Sequence, residues 1–267
     1  MESTVLSPAA AAFDAIAERF DTRFGAWASV AAQRRAVRSL LLSAFPRGAR
    51  VVEVGGGTGE DAGWLMRQGR SVLLTDASPS MVRIANDKLR AHGTPSAQIV
   101  AAEQIGSMAR DEQFDGAFSN FAALNCVSDL DAVARGLAGI IRPGGKAMLV
   151  LFGVCAPGEW LVQLLRGDLR AATRRFSRGD VRARLGGREF SVRYHRTADI
   201  QRAMSPWFTL CARRGIGVCV PPSGAEPWIS AHPRLLALLE RLDLSLSRPL
   251  ALLGDHVLFE FQRTNAG

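Results

Sequence analysis

Short apolar runs alternate with helical patterns along the middle of this sequence, and that alternation restricts its fold more than any other feature. The apolar runs lack the in-and-out alternation of a half-exposed sheet, which is typical of parallel strands buried on both faces. They occupy residues 49–54, 71–75, 98–101, 116–120 and 146–152. The helical patterns between them occupy residues 59–68, 79–92 and 130–140. Repeated strand–helix units predict an α/β fold with a doubly wound, mainly parallel sheet and helices on both of its faces.

The sequence on either side of this alternation predicts further regions around the core. Residues 1–46 have a helical pattern, and beyond Phe152 two alternating runs flank Gly186-Gly187, as in a β-hairpin. The predicted division is a helical lid (1–46), a core (47–152), a cap insertion of helix and hairpin (153–205), and C-terminal strands and a helix that complete the sheet (206–267).

Most of the net charge of +8 lies in one segment of the chain. Between Arg166 and Arg202, eleven arginines accompany four carboxylates. A solvated basic helix and hairpin is the simpler interpretation of this segment. The alternative is a basic cap that attracts an anionic substrate or partner.

Cysteine usage and the apolar stretches indicate the compartment. The four cysteines are scattered without a C-x-x-C pair, which argues against a disulfide framework and against a zinc knuckle. No basic leader precedes the first apolar patch, and the stretch at 147–156 is too short to cross a bilayer. We expect a cytoplasmic protein without a membrane span.

The first strand runs directly into a glycine-rich turn, VVEVGGGTGED at residues 51–61. Gly55, Gly57 and Gly59 allow a sharp turn and a close approach of the backbone to a ligand, and the following helix start supplies free N–H groups. The turn also fits a dinucleotide-binding pattern, so a nicotinamide site is one alternative. Glu53, however, precedes the first glycine by two residues, and its carboxylate disfavours a pyrophosphate there. It favours a ligand with cationic groups and no phosphate, such as S-adenosylmethionine with its ammonium and sulfonium.

Asp76 closes the second strand and is a candidate ribose ligand. A carboxylate at this strand end can accept hydrogen bonds from both ribose hydroxyls. The alternative is that Asp76 only turns the chain into the next helix, together with Ser78 and Pro79. If Asp76 binds the ribose, Met81 would lie near the adenine, although a methionine on a helix face is also a common core residue.

With these residues in order, the chain resembles the class I S-adenosylmethionine-dependent methyltransferases of the small-molecule, ubiquinone-biosynthesis-like kind. The features that carry the resemblance are ERFD at 18–21, the loop from Glu53 to Gly59, Asp76, FDGAFSN at 114–120 and IRPGG at 141–145. The resemblance implies an enzyme with S-adenosylmethionine as its methyl donor. It also implies a Rossmann-like sheet of seven strands whose last strand, here His256 to Gln262, runs antiparallel.

The family's ligand contacts can be carried over to matching positions of this sequence. They fall on Glu53, Gly55 and Gly57 for the methionine moiety, Asp76 for the ribose, Ala102 and Glu103 for the adenine, and Asn120 and Phe121 for the floor of the site. Two positions depart from the family's pattern, which often has Gly-Asp where Ala101-Ala102 stands and Tyr where Phe20 stands. Phe20 is either an apolar lid over the substrate or a core residue.

The sequence does not single out one catalytic group. Alignment of donor and acceptor alone can supply most of the rate of methyl transfer. A base is needed only if the nucleophile arrives protonated. The candidates are His195, beside Tyr194, and His256, and either histidine can equally be structural. Trp207 is a candidate wall of an apolar substrate pocket. No His, Asp or Glu cluster has metal-ligand spacing, so we expect no metal.

The sequence therefore predicts methyl transfer to the oxygen, carbon or nitrogen of a small-molecule acceptor. An RNA methyltransferase that uses the arginine-rich cap is an alternative, although no RNA-binding module accompanies it. Further alternatives are a protein that binds the cofactor without transferring methyl and, more weakly, a nicotinamide oxidoreductase. The sequence leaves the oligomeric state open.

Overall fold

A computed structural model describes residues 6–92, 96–108 and 113–265 of the chain. Three helices precede the first strand: α1 (Pro8–Asp14), α2 (Ala17–Gly25) and α3 (Ala28–Ala44). The hydroxyl of Ser7 caps α1 by accepting a hydrogen bond from the Ala10 N–H at 3.2 Å, and a proline follows at the first helical position. The helical pattern at residues 1–46 is thus divided into separate helices.

The sheet contains seven of the strands in the described residues. They are β1 (Arg50–Val54), β2 (Ser71–Asp76), β3 (Ala97–Ile99), β4 (Phe114–Ser119), β5 (Ile141–Phe152), β8 (Phe208–Ile216) and β9 (His256–Arg263). Their order is β3-β2-β1-β4-β5-β9-β8. Neighbours among the first five pair in parallel, whereas β9 runs antiparallel to both β5 and β8. This arrangement confirms the predicted seven-stranded sheet with an antiparallel last strand.

Helices cover both faces of the sheet, which explains why its strands lack polar alternation. Three of them connect the parallel strands: α4 (Glu60–Arg67), α5 (Pro79–Leu89) and α6 (Leu130–Ile140). Successive side chains of a strand point to opposite faces, and in β1 both neighbours Val51 and Val52 are fully buried. Val51 packs in the cluster that includes α3, α4 and α5, and Val52 in the cluster that includes α6.

Between β5 and β8 the chain forms the predicted hairpin and three helices. These elements are α7 (Pro157–Leu165), α8 (Leu169–Thr173), β6 (Asp180–Leu185), β7 (Arg188–Arg193) and α9 (Thr197–Met204). The pairing of Leu185 with Arg188 leaves Gly186 and Gly187 as a two-residue turn, and both have positive φ, as a type I′ turn requires. A turn at Gly167, which adopts φ +73°, separates α7 from α8.

The remaining helix α10 (Pro233–Leu246) lies between β8 and β9 in the chain. Strand β8 ends at Ile216, because Gly217 turns the backbone with φ +69°. No helix in the described ranges is long and apolar enough to cross a membrane.

Candidate functional site

A cavity of about 960 Å³ opens at the carboxyl ends of the parallel strands. It lies where the strand order reverses between β1 and β4, which is where open α/β sheets bind their ligands. The sequence-predicted residues that line it are Phe20, Glu53, Gly55, Gly57, Asp76, Met81, Ala102, Glu103, Asn120, Phe121 and His256. Four other candidates, Gly59, Tyr194, His195 and Trp207, are not among its lining residues.

The glycine loop wraps around the end of β2. The N–H groups of Gly55 and Gly56 donate to the Thr75 carbonyl at 2.8 and 3.0 Å. Gly55 and Gly57 have φ of +68° and +55°. A Cβ at Gly57 would have only Met81 Sδ near it, at 4.0 Å, so this position faces open space that a ligand can fill.

Gly59 has a different role from the other two glycines. It is the N-cap of α4 with φ +83°, and a Cβ there would lie 3.3 Å from Ala85 Cβ on α5. The residue thus allows the turn into α4 and the close packing of α4 against α5.

Glu53 supplies a buried carboxylate beside this loop. The residue is 2% exposed, and its Oε2 has no hydrogen-bond partner among the described residues. Burial and the negative charge of Asp61 raise its pKa well above the ordinary value, against the opposing effect of Arg34 and a hydrogen bond from the Ala62 backbone. An orphaned carboxylate oxygen is unfavourable in the free protein, and a ligand ammonium would satisfy it. The site therefore fits the α-amino group of S-adenosylmethionine.

Asp61 is a site residue that the sequence analysis missed. Its Oδ1 accepts from Arg38 Nε at 2.7 Å and its Oδ2 from Asn120 Nδ2 at 2.8 Å. The Asn120 Oδ1 in turn accepts from the Phe121 N–H at 2.8 Å. These bonds hold the end of β4, where Phe121 and Ala122 adopt the left-handed φ values of +48° and +60°. Non-glycine residues in this region are strained, and such strain clusters at functional sites.

Asp76 lies at the end of β2 with both carboxylate oxygens held by backbone N–H groups. Oδ2 accepts from Gly57 and Oδ1 from Ser78, each at 2.9 Å. Burial raises the pKa of Asp76, while these N–H groups oppose the rise. The Ser78 hydroxyl, not Asp76, caps α5 by accepting from the Met81 N–H at 3.1 Å. A lone pair on each Asp76 oxygen therefore remains for ligand hydroxyls.

An apolar wall stands beyond Asp76, at the ends of β3 and β4. Met81 is buried here, and Ala102 starts a short 3-10 helix that ends at Ser107. Glu103 Oε1 accepts from the Ser128 N–H at 3.1 Å. Burial, with a smaller effect of the Asp76 charge, raises the pKa of Cys126 to about 11, so this thiol is a neutral part of the wall. The wall suits a planar base.

A chain of aromatic rings forms the roof of the cavity. Their centroids are 5.8 Å apart for Phe190 and Phe13, 6.3 Å for Phe13 and Phe20, 4.8 Å for Phe20 and Phe24, and 5.1 Å for Phe24 and Trp27. Phe190 belongs to the hairpin and the others to the N-terminal helices, so the roof joins the two regions. Phe20 lines the cavity as part of this roof.

His256 begins β9 and stands next to a buried carboxylate. Its ring is stacked on Phe152 with centroids 4.9 Å apart, and the Phe121 ring meets it edge-on at 5.9 Å. His256 Nδ1 lies 3.4 Å from Oδ2 of Asp255. The charges of His256 and Arg175 hold the pKa of Asp255 far below its ordinary value despite its burial. Asp255 is thus a permanent carboxylate behind the ring.

Arg175 ties the region between β5 and β8 to this part of the sheet. Its Nη1 donates to the carbonyls of Gly153 and Asp255 at 3.0 and 2.7 Å. Its Nη2 donates to Glu159 Oε2 at 3.0 Å and to Asp255 Oδ1 at 2.6 Å. Gln33 on α3 reaches the same carboxylate at 3.2 Å. No local sequence signal separates Arg175 from the ten other arginines of its segment, so the sequence analysis missed this network.

The other sequence candidates lie elsewhere. His195 lines a separate groove of about 560 Å³, where burial and the charge of Arg193 lower its pKa. Tyr194 lines that same groove, with its ring centroid 5.7 Å from that of Phe152. Trp207 packs against the hydrophobic cluster that includes residues of α6. Within residues 6–92, 96–108 and 113–265, no group of three or more His, Cys, Asp or Glu is placed to hold a metal ion.

Comparison with known proteins identifies the central part of the chain. Residues 51–145 match the methyltransferase domain family. A bifunctional biotin biosynthesis protein of Bordetella avium is 29% identical over 234 residues, which are 86% of this chain and 48% of that protein. A ubiquinone/menaquinone biosynthesis C-methyltransferase of Vibrio campbellii is 33% identical over 110 residues, 39% of this chain and 42% of that protein. The chain spans about half the length of the curated relatives it matches.

The fold has counterparts among solved structures. A SAM-dependent methyltransferase from Methanosarcina mazei matches with a TM-score of 0.57 at 17% identity, over 84% of this chain and 97% of that one. That likeness agrees with the sheet order and the antiparallel last strand described above. Residues 51–145 are therefore similar to a methyltransferase domain, and the fold that contains them is similar to that of a solved SAM-dependent methyltransferase.

Proposed function

We propose that this chain transfers a methyl group from S-adenosylmethionine to a small-molecule acceptor. The observation that carries the proposal is the buried, unpartnered Oε2 of Glu53 beside the open face of Gly57. A nicotinamide dinucleotide would bring its pyrophosphate towards that carboxylate, whereas the ammonium of S-adenosylmethionine would neutralise it. The family match at residues 51–145 supports the same choice.

Each part of the donor has a set of residues that suits it. Glu53 would accept hydrogen bonds from the α-amino group, and Asp76 from the ribose hydroxyls. Met81, Ala102 and Glu103 would surround the adenine. When bound, S-adenosylmethionine supplies a methyl group already activated by its positive sulfur, so the protein's main task is to align the acceptor with it.

The acceptor would occupy the space below the aromatic roof. Phe20, Phe24, Trp27 and Phe190 line this part of the cavity, which favours an apolar or aromatic molecule. We propose a division into a lid (1–46), a cap (153–205) and a segment that completes the sheet (206–267). In this division, residues of the lid and of the cap together form the roof that encloses the acceptor. Enclosure favours a metabolite over a macromolecular surface.

We assign His256 the role of general base for an acceptor that arrives protonated. Because Nδ1 is buried beside Asp255, Nε2 would be the ring nitrogen that meets the acceptor. Nε2 would accept the proton of an acceptor hydroxyl, which makes the acceptor oxygen a stronger nucleophile towards the methyl group that the bound donor would supply. The permanent charge of Asp255 would stabilise the imidazolium that forms.

The donor site can be tested by calorimetric titration of S-adenosylhomocysteine. We expect wild type to bind in the micromolar range, about −8 kcal/mol, and Asp76→Ala to bind at least about tenfold more weakly. Asp115→Ala is the matched control, because Asp115 also accepts a backbone N–H, from Arg50 at 2.8 Å, but does not line the cavity. Absence of binding to the folded wild type would refute the donor site.

The RNA alternative is less well supported, because several arginines of the cap are buried or paired with carboxylates and so are less available to bind phosphates. Arg175 is buried, Arg174 donates to Glu159 at 2.6 Å, and Arg193 lies 2.7 Å from Asp180.

Incubating the protein with methyl-labelled S-adenosylmethionine and a cell extract distinguishes a small-molecule acceptor from RNA. We expect label in the small-molecule fraction; label in RNA, with binding that falls steeply with salt, would establish the alternative. Label in neither fraction would favour a cofactor-binding protein without transfer. A cytoplasmic location remains part of this proposal.

A further inference from the structure

The outer surface of the α7–α8 region exposes five large apolar side chains within a short stretch of chain. They are Leu161, Leu164, Leu165, Leu169 and Phe176, which we name the cap-tip surface. Leu165 and Leu169 are 79% and 67% exposed. Large apolar side chains that are exposed together in a short stretch of chain can mark a place where another surface binds.

Helix α7 exposes its apolar face and buries a charged residue, which is the opposite of an ordinary surface helix. Leu161, Leu164 and Leu165 have the i, i+3, i+4 spacing of one helix face, and all three are exposed. Glu159 lies on the opposite face, where it is buried against Arg175 at 3.0 Å. A normal surface helix turns its apolar stripe towards the core and its charges towards water. None of the residues that the structure describes buries this outward apolar stripe.

Positive charge accompanies the exposed leucines. Arg166, Arg170 and Arg178 are exposed within the same stretch, whereas the exposed Arg174 is paired with Glu159 at 2.6 Å. In the described part of the chain, the guanidinium groups of Arg170 and Arg178 make no ion pair or hydrogen bond. The acidic neighbour Asp168 is engaged as the N-cap of α8, accepting from the Ala171 N–H at 2.9 Å. The cap-tip surface thus combines apolar side chains with free positive charge.

We propose that the cap-tip surface docks on an anionic lipid bilayer. The leucines and Phe176 would enter the boundary between headgroups and acyl chains, and the arginines would meet lipid phosphates. Their aliphatic stems allow arginines to lie along apolar surface while the charged ends stay at the phosphates. A two-fold contact with a second copy would set the same arginines against each other, so this occupant fits less well.

The α7–α8 region carries the cap-tip surface on its outer side and lines the cavity on its inner side. Glu159, Arg174 and Arg175 line the cavity, whereas Leu161, Leu165 and Leu169 face outwards. The cap therefore lies between the proposed bilayer surface and the space under the aromatic roof. Docking itself requires no methyl transfer, so the inference stands apart from the proposed function.

Vesicle sedimentation tests this docking with the full chain. Wild type should sediment with vesicles of phosphatidylcholine mixed with phosphatidylglycerol, more weakly with phosphatidylcholine alone, and less as salt increases. The double variant Leu165→Ser/Leu169→Ser should lose at least about tenfold in affinity, because it removes apolar surface from the interface. Arg170→Gln/Arg178→Gln should lose about fivefold for each arginine on the mixed vesicles. On phosphatidylcholine alone, the arginine variant should differ little from wild type.

The matched control is Leu238→Ser/Leu244→Ser on α10. These leucines are 54% and 66% exposed and stand outside the cap-tip surface, so this variant should bind like wild type. Equal losses in the control and in Leu165→Ser/Leu169→Ser would overturn the proposal. So would failure of folded wild type to bind mixed vesicles at low salt. A wild-type dimer that becomes monomeric in Leu165→Ser/Leu169→Ser, by sedimentation velocity, would assign the surface to a second copy instead.

Discussion

Oδ1 of Asp255 lies 2.6 Å from Nη2 of Arg175, and this buried ion pair joins the start of β9 to the segment between β5 and β8. The same carboxylate stands behind His256 in the cavity wall. One aspartate therefore serves both the attachment of the proposed cap and the orientation of the proposed base. The two roles can be separated, since one affects stability and the other affects turnover.

Replacement of Asp255 should strongly destabilise the fold. Asp255→Asn leaves the buried Arg175 with Glu159 as its remaining carboxylate, and we expect a loss of about 3–5 kcal/mol in the free energy of unfolding. Urea unfolding of wild type and Asp255→Asn at neutral pH measures this difference in the free energy of unfolding. The control is Asp180→Asn, which breaks the exposed pair with Arg193 and should cost less than about 1 kcal/mol.

The pH dependence of this effect has a definite sign. Because the pKa of Asp255 is lower in the folded chain than in the unfolded chain, its stabilising contribution is complete above the ordinary aspartate pKa. The contribution is lost as pH falls from that value towards the depressed one. The difference between wild type and Asp255→Asn should therefore narrow in acid, and a difference that widens there would contradict the assignment.

Glu53→Gln should stabilise the free protein while it weakens ligand binding. Since the pKa of Glu53 is raised in the folded chain, the unliganded protein loses stability as pH rises from the ordinary glutamate pKa towards the raised one. A neutral glutamine removes this cost, and we expect a gain of about 1–3 kcal/mol at neutral pH. Thermal melts with and without S-adenosylhomocysteine measure both effects.

Glu60→Gln serves as the control for that substitution, because the Glu60 side chain is half exposed. It should leave the melting temperature of the free protein nearly unchanged. If Glu53→Gln both lowered the melting temperature and kept full stabilisation by the ligand, Glu53 would be a structural residue and not the ammonium ligand.

Alanine at Gly57 and at Gly59 should have different consequences. Both substitutions force a non-glycine residue into positive φ, which costs about 1–2 kcal/mol. At Gly57 the new methyl group also projects into open space beside Met81, so binding of S-adenosylhomocysteine should fall at least about tenfold. At Gly59 it meets Ala85 at 3.3 Å, so stability should suffer and binding to the remaining folded protein should not. Identical binding losses would show that the loop responds as a unit.

His256→Gln should reduce turnover without reducing donor affinity. Loss of a positioned general base lowers kcat by about 10²–10⁴-fold. Turnover is measured with the acceptor found in the labelled small-molecule fraction, and affinity by calorimetry. His195→Gln is the comparison, since His195 lines a different groove, and it should keep the wild-type kcat. A His256→Gln enzyme with the wild-type kcat would exclude His256 as the base.

The sequence alone determined the α/β fold, the glycine loop and the positions of Glu53 and Asp76 at strand ends. These features are local: a strand, a turn and a helix follow one another in the chain, and parallel strands bring their carboxyl ends to one edge. The order of the motifs therefore predicted where the donor cavity lies.

Tertiary structure alone decided which of the remaining candidates meet at the cavity. Gln33, Arg175 and Asp255 are far apart in sequence and share no pattern, so their buried network appears only when α3, β9 and the segment after β5 pack together. The same packing brings His256 to the cavity and His195 to another groove. In the sequence, each is an isolated histidine near the end of a strand, so the sequence cannot distinguish them. Periodicity reports which face of an element is buried, but the partner across that face depends on how distant segments pack.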